Sequence, residues 1–133
     1  MNKEQKIKIR RRMQVALALL AVFPLVSGVL GLAGASNPIF EIRYSSDMVL
    51  DSNLRFLNGM SVAIAVSVYL ILPLISKETF AFRILMAAFI CGAAGRSLSI
   101  FAYSYFSLPL VTLALVELLS PALLIYYQNK IKD

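Results

Sequence analysis

Arg96 and Glu117 are each a lone charge well inside a long apolar run, AAFICGAAGRSLSIFAY over 87–103 and LVTLALVELLSPALLIYYQ over 110–128. Charged side chains are rare at membrane depth, and they face a bundle interior or a polar cavity with a partner. On a helix, Ala88, Gly92, Arg96, Ser99 and Tyr103 fall on one face by three- and four-residue steps. A second ladder of Ala87, Cys91, Gly95 and Ser99 runs beside it, and small residues at that spacing let helices approach closely. Arg96 is therefore expected to point into protein. Its partner has to come from elsewhere in the chain.

Depth identifies that partner. Arg96 lies about seven to nine residues before the end of its run, and Glu117 a similar distance past the start of the next. At ~1.5 Å per residue both sit roughly 10–14 Å below the same surface. The two runs are joined by a very short turn, so they are antiparallel neighbours and the two charges form the natural pair. A third polar group approaches from an earlier run: Asp51 and Arg55, four residues apart and able to pair along a helix, then Asn58. The expected site is thus Arg55, Asn58, Arg96, Ser99 and Glu117, with Asp51 nearer the water. Two arginines facing one deep carboxylate would suit an anionic headgroup or carboxylate. The plainer reading has Arg96–Glu117 locking two helices and Arg55 solvated or paired with Asp51. Proton-coupled transport through Glu117 is the third.

Composition narrows the class. The chain has 133 residues, 59% of them hydrophobic and only 15% charged. Its mean hydropathy of +0.78 is too high for a soluble domain of this size, and the uncharged runs have the length that spans a bilayer. The net charge of +6 could suggest nucleic acid. The positives instead gather at Lys3, Lys6, Lys8, Arg10, Arg11 and Arg12, with Lys130 and Lys132 at the other end. Beside apolar spans that distribution encodes topology and attraction to anionic membrane lipids; no nucleic-acid motif accompanies it. With no His and a single Cys, neither a His-dependent nucleophile nor a multi-Cys metal site can be built, and no cofactor is expected. Cys91, among Ala and Gly, reads as a packing residue.

The elements follow in order. A basic cytoplasmic leader (1–12) precedes a first span over 13–35, whose Gly28 and Gly31 offer a close-packing face and whose Pro24 is expected to kink it. Ala33-Gly34-Ala35 would fit a signal-peptide cleavage site, but the apolar run exceeds the usual ~7–15 residues of such a segment. A polar loop follows, and its central part, 39–50, has the pattern of a short interfacial segment. The second span, 53–75, is expected to be capped by Asp51 or Ser52 and to carry Gly59 on its polar, small face. A tight connection leads to the third span (80–103), which carries Gly92 and Gly95 as packing residues. Tyr103, Tyr105 and Phe106 mark the membrane surface there, and Pro109 favours the first turn of the fourth span (110–128), followed by a cytoplasmic tail at 129–133. The fold class is an all-α, integral membrane four-helix bundle. The Lys and Arg positions predict cytoplasmic N- and C-termini, with residue 77 inside and residue 47 outside.

Three blocks carry a family resemblance: LDSNLRFLNGM (50–60), CGAAGRSLSIF (91–101) and VELLSPALLIYYQ (116–128). They resemble the signature blocks of the DUF4345 family, small four-span bacterial membrane proteins of uncharacterised function. The family pattern falls on Asp51, Asn53, Arg55, Phe56 and Gly59, then Gly92, Gly95, Arg96 and Ser99, then Glu117 and Pro121. The chain departs from it at Tyr127, where relatives commonly show Trp, and at Ser97, where an apolar residue is usual. The resemblance implies that the first span is retained, and it implies no reaction. The bundle is more loosely similar to DoxX-like membrane proteins, an analogy of fold alone. The expected role is non-enzymatic: a multi-pass protein of the bacterial inner membrane binding a lipid, small anionic amphiphile or partner membrane protein in cell-envelope maintenance. The alternative is a small proton-coupled transporter or efflux component, which with so few helices would need to work as a homodimer.

Overall fold

The computed structural model describes residues 2–33, 48–104 and 106–132. Among these the chain forms α1 (Lys3–Leu32), α2 (Met48–Ile71) with a 3-10 turn at Leu72–Leu74, α3 (Thr79–Tyr103) and α4 (Leu108–Ile131). All four helices are long and apolar enough to cross a membrane. Asp47, Tyr105 and most of the expected interfacial segment lie outside the described residues.

Local sequence explains where the helices start and stop. Asn2 and Gln5 form a capping box, each side chain bonding the other's backbone N–H. The basic leader is accordingly helical and continuous with the apolar run, and α1 passes through Pro24 without ending. The second helix starts at Met48, so Asp51 lies in its first turn instead of capping it, where a carboxylate complements the helix dipole. Ser104 closes α3 in the left-handed conformation at φ 50°, and the Ser107 side chain accepts from Leu110 N–H to cap α4, with Pro109 in its first turn.

Cross-helix contacts fix the arrangement. Down the α1–α2 seam, Gly31 faces Asn58, Gly28 faces Val62, and the Tyr69 hydroxyl donates to Ala18 O at 3.0 Å. Further along, Gln14 Nε2 donates to Leu72 O at 2.8 Å and Arg10 donates to Pro73 O. That order makes α1 and α2 antiparallel. On the other seam Arg96 meets Glu117 and Thr79 meets Gln128, so α3 and α4 are antiparallel too. These two hairpins are the intimate pairs, and contact between them is lighter.

The chain leaves α2 ahead of Pro73, and the four carbonyls of the turn that follows, Leu72 to Ile75, lie outside any α-helix and need other donors. All four find one. Leu72 and Pro73 are held from α1, Leu74 O accepts from Lys77 and Glu78 N–H, and Ile75 O accepts from the buried Gln128 amide at 3.2 Å. The start of α1, the α2–α3 turn and the end of α4 are thereby tied together at one end of the bundle. The buried core sits against it: Leu17, Ala65, Val68, Ile75, Phe82, Met86 and Leu124.

The glycines divide. A Cβ on Gly28 would stand 2.8 Å from both Asn58 O and Val62 Cγ2, and one on Gly31 would run into the Asn58 side chain. Only glycine lets the α1–α2 backbones approach this closely. Gly59 needs no such exemption, since a Cβ there meets only Leu32 Cδ2 at 3.7 Å. At Gly95 a Cβ would meet open space, so among the described residues the packing role expected of it is not realised.

Candidate functional site

The third and fourth helices bring their lone charges together. Arg96 Nε donates to Glu117 Oε2 at 2.9 Å, with the Arg side chain 30% and the Glu side chain 12% exposed. Gly92, one turn before Arg96, lies beside the carboxylate, but a Cβ there would stand 3.8 Å from Glu117 Oε2, an ordinary contact, so the pair does not require glycine at this position. Ser97 turns back to its own helix and donates to Ala93 O, while Ser99 is exposed.

The pair stands where three cavities meet. A small central pocket of about 110 Å³ is bounded by all four helices, with Ser27, Ser61, Arg96 and Glu117 as its polar lining. Toward the far end of the hairpin, Arg96, Ser99, Ile100, Tyr103 and Leu110 line an open recess of about 370 Å³. An apolar cleft of about 420 Å³ lies between α1 and α4, floored by Phe89, with Glu117 and Ser120 as its polar groups. Arg96 thus separates the outer pocket from the central one, and Glu117 separates the central pocket from the cleft. A guanidinium bonded to a carboxylate in a low-dielectric setting is a strong, directed, charge-assisted pair, and it brings a fixed positive group to the wall of the recess.

The second polar group belongs to another seam. Arg55 Nε bonds Asp51 Oδ2 at 2.9 Å, and its Nη1 donates to Leu32 O at 2.8 Å, serving a carbonyl at the end of α1. Asn58 donates to Leu54 O and lies against Gly31. The six polar residues singled out in the sequence therefore separate. Arg96 and Glu117 bond each other across α3–α4, with Ser99 beside Arg96 in the outer pocket. Asp51, Arg55 and Asn58 gather where α2 meets the end of α1.

Sequence reasoning missed three serines. Ser27 and Ser61 line the central pocket from the opposite hairpin, and Ser120 Oγ, beside the cleft, is buried without a hydrogen-bond partner among the described residues. Ser120 follows Glu117 by three residues and so shares its face, a signal that was available. Ser27 and Ser61 carry none, because serines on apolar helices commonly bond the carbonyl four residues back, as Ser61 does to Leu57. Among the described residues no group of His, Cys, Asp or Glu is placed to hold a metal ion.

No curated protein and no solved structure matches the chain. The family model described as "Domain of unknown function (DUF4345)" matches residues 12–128, nearly the whole membrane-spanning part. This four-helix membrane protein belongs to the DUF4345 family.

Proposed function

We propose that this protein binds a small membrane amphiphile in the outer pocket, with the ligand's anionic or polar group on Arg96 and Ser99 and its apolar part along Ile100, Tyr103 and Leu110. One observation carries the reading: Arg96, set deep in an apolar helix and held by Glu117, forms a wall of a cavity of about 370 Å³. An arginine placed only to bridge two helices needs no such space beside it. The protein works in this reading from the bacterial inner membrane, termini in the cytoplasm, in maintenance of the envelope. The Lys and Arg distribution supports that orientation: of 13 such residues, all but Arg43, Arg55 and Arg96 belong to the leader, the α2–α3 turn with the start of α3, or the C-terminal end.

The test is the amphiphile content of purified protein by mass spectrometry, wild type against Ser99→Trp. Ser99 is exposed and lines the pocket, so the indole fills the cavity without entering the core. A bound amphiphile present in the wild type and lost from the folded variant is expected. Equal content in the two proteins removes the reading. The alternative, proton-coupled transport, predicts a substrate flux that folded Glu117→Gln lacks at every pH. Orientation is checked separately, in a Cys91→Ala background: Lys77→Cys and Lys130→Cys should resist an impermeant thiol reagent applied from outside.

A further inference from the structure

A second cavity continues the α1–α4 cleft toward the basic end of the bundle. It holds about 200 Å³, is lined by Ile9, Arg12, Met13, Ala16, Leu123, Leu124 and Tyr127, and shares Ala16, Leu123 and Leu124 with the larger cleft. The two together make one groove on α1 from Ile9 to Pro24, of which the part from the Arg12 rim inward is about 18 Å at 1.5 Å per residue. That length is close to one leaflet of the hydrocarbon core, about 15 Å. The walls are apolar along this whole length until Glu117 and Ser120 at the deep end.

The mouth is cationic. Arg12 forms its rim, and among the described residues it has no hydrogen-bond or ion-pair partner. Lys8 is exposed one turn before it on the same helix face. Across the groove, Lys130 Nζ lies 4.2 Å from the Tyr126 ring centroid and 5.8 Å from that of Tyr127, the latter a wall residue. The nearest acid on that face of α1, Glu4, is eight residues before Arg12, about 12 Å away along the helix.

From these features we infer that the α1–α4 groove is a site for an anionic phospholipid of the leaflet bordering the basic end. One acyl chain lies along Ala16, Leu20, Leu123 and Leu124, and the phosphate sits at Arg12 with Lys130. Charge selects the lipid class and groove length selects a single leaflet. The occupant also fills the space left by the light contact between the two hairpins, so it is part of what joins them. This site is independent of the outer pocket; the two share no lining residue.

The full chain in detergent is mixed with equal amounts of phosphatidylglycerol and phosphatidylcholine of identical acyl chains, and retained lipid is read by native mass spectrometry. One phosphatidylglycerol retained in preference is expected. Arg12→Gln should lower that preference about fivefold, the effect of one basic residue at an anionic surface. Ala16→Trp, at the waist where the two cavities meet, should abolish retention while leaving Arg12 and Lys130 in place. Retention of phosphatidylglycerol by folded Ala16→Trp at the wild-type level overturns the inference, because the lipid is then held by surface charge alone. Equal retention of the two lipids by the wild type overturns it as well. A variant-free measurement stands beside these: phosphatidylglycerol with a photoreactive group near its chain end should label peptides from 16–24 and 113–124. Label spread evenly over the lipid-facing surfaces of all four helices counts against the groove.

Discussion

The two ends of this bundle are built differently. At the basic end, Leu17, Ile75, Phe82, Met86 and Val68 are almost fully buried, and every carbonyl from Leu72 to Ile75 is bonded. Exposed apolar side chains occur at both ends, Phe80 at 79% and Leu108 at 80%, but at the far end few of the described residues are buried, Ile100 among them, while Leu98 is 71% and Phe101 70% exposed. The space between helices there is occupied by pockets and one ion pair. Helices in lipid gain nothing by hiding apolar surface from tails that are equally apolar, so their association rests on close packing and hydrogen bonds. At the basic end they tie α1, the α2–α3 turn and α4 to one another, whereas toward the other end they act within each hairpin, Gly28 and Gly31 on Asn58 and Arg96 on Glu117. The two hairpins are joined chiefly at the basic end, beside the α1–α4 groove, and the other end keeps a separate space for a ligand without loss of the fold.

The largest expected effect tests this division with one residue type. Phe82→Ala removes a fully buried ring and leaves a cavity between hairpins, at a cost of about 3 kcal/mol, the low end of the range for such truncations. The low end applies because a ring released within the membrane is not returned to water. Phe101→Ala, on the exposed surface near the opposite end, should cost less than about 0.5 kcal/mol. Denaturant titration in detergent measures both. Similar losses would mean that the two ends contribute equally and that the comparison is wrong.

The two ion pairs sharpen the contrast. Removing one partner of a buried pair typically costs about 3–5 kcal/mol; with Arg96 30% exposed, about 1–3 kcal/mol is expected for Arg96→Ala or Glu117→Ala. The double variant should cost less than the sum of the singles by about 1 kcal/mol or more. Asp51–Arg55 is a pair within one helix, with side chains 30% and 41% exposed, and its coupling should be below about 0.5 kcal/mol. Strict additivity at Arg96 and Glu117 would reduce that pair to two independent side chains.

What the sequence made legible follows from which signals survive without coordinates. The four helices were readable because runs of bilayer length and turn residues such as Pro73 and Pro109 are local facts. The proximity of Arg96 to Glu117 was readable because a short turn fixes the antiparallel register of two helices, and residue count then becomes depth. Arg55 and Asn58 could not be assigned to a seam in the same way. The connection between α1 and α2 is long, so nothing local sets the rotation of α2, and the sequence leaves Arg55 two directions, toward α3 or toward the carbonyl of Leu32. The structure settles this through Gly28 and Gly31, whose missing side chains draw α2 and its Asn58 onto α1. The staple at the basic end was hidden for a related reason. Arg10 and Gln14 read as part of a charged leader and its edge, and only a helix beginning at Lys3 puts them one turn apart, opposite Pro73 and Leu72.

A small effect of either sign is expected in the turn that closes the open end. Ser104 is the only non-glycine among the described residues with positive φ, and it terminates α3 with its N–H directed to the carbonyls of Ile100 and Phe101. A side chain in that conformation costs about 1–2 kcal/mol, because Cβ crowds the following carbonyl. Glycine avoids the crowding but brings a more disordered unfolded chain, which offsets about 0.5–1 kcal/mol of the gain. Ser104→Gly should therefore stabilise the bundle, by less than about 1 kcal/mol. Ser104→Val should do the reverse, since a β-branched side chain fits this conformation poorly. Paired thermal melts read both changes against wild type. If Ser104→Val melts at the wild-type temperature, the α3–α4 turn carries no part of the stability. The open end would then be held by the Arg96–Glu117 pair and the end of the α1–α2 seam alone.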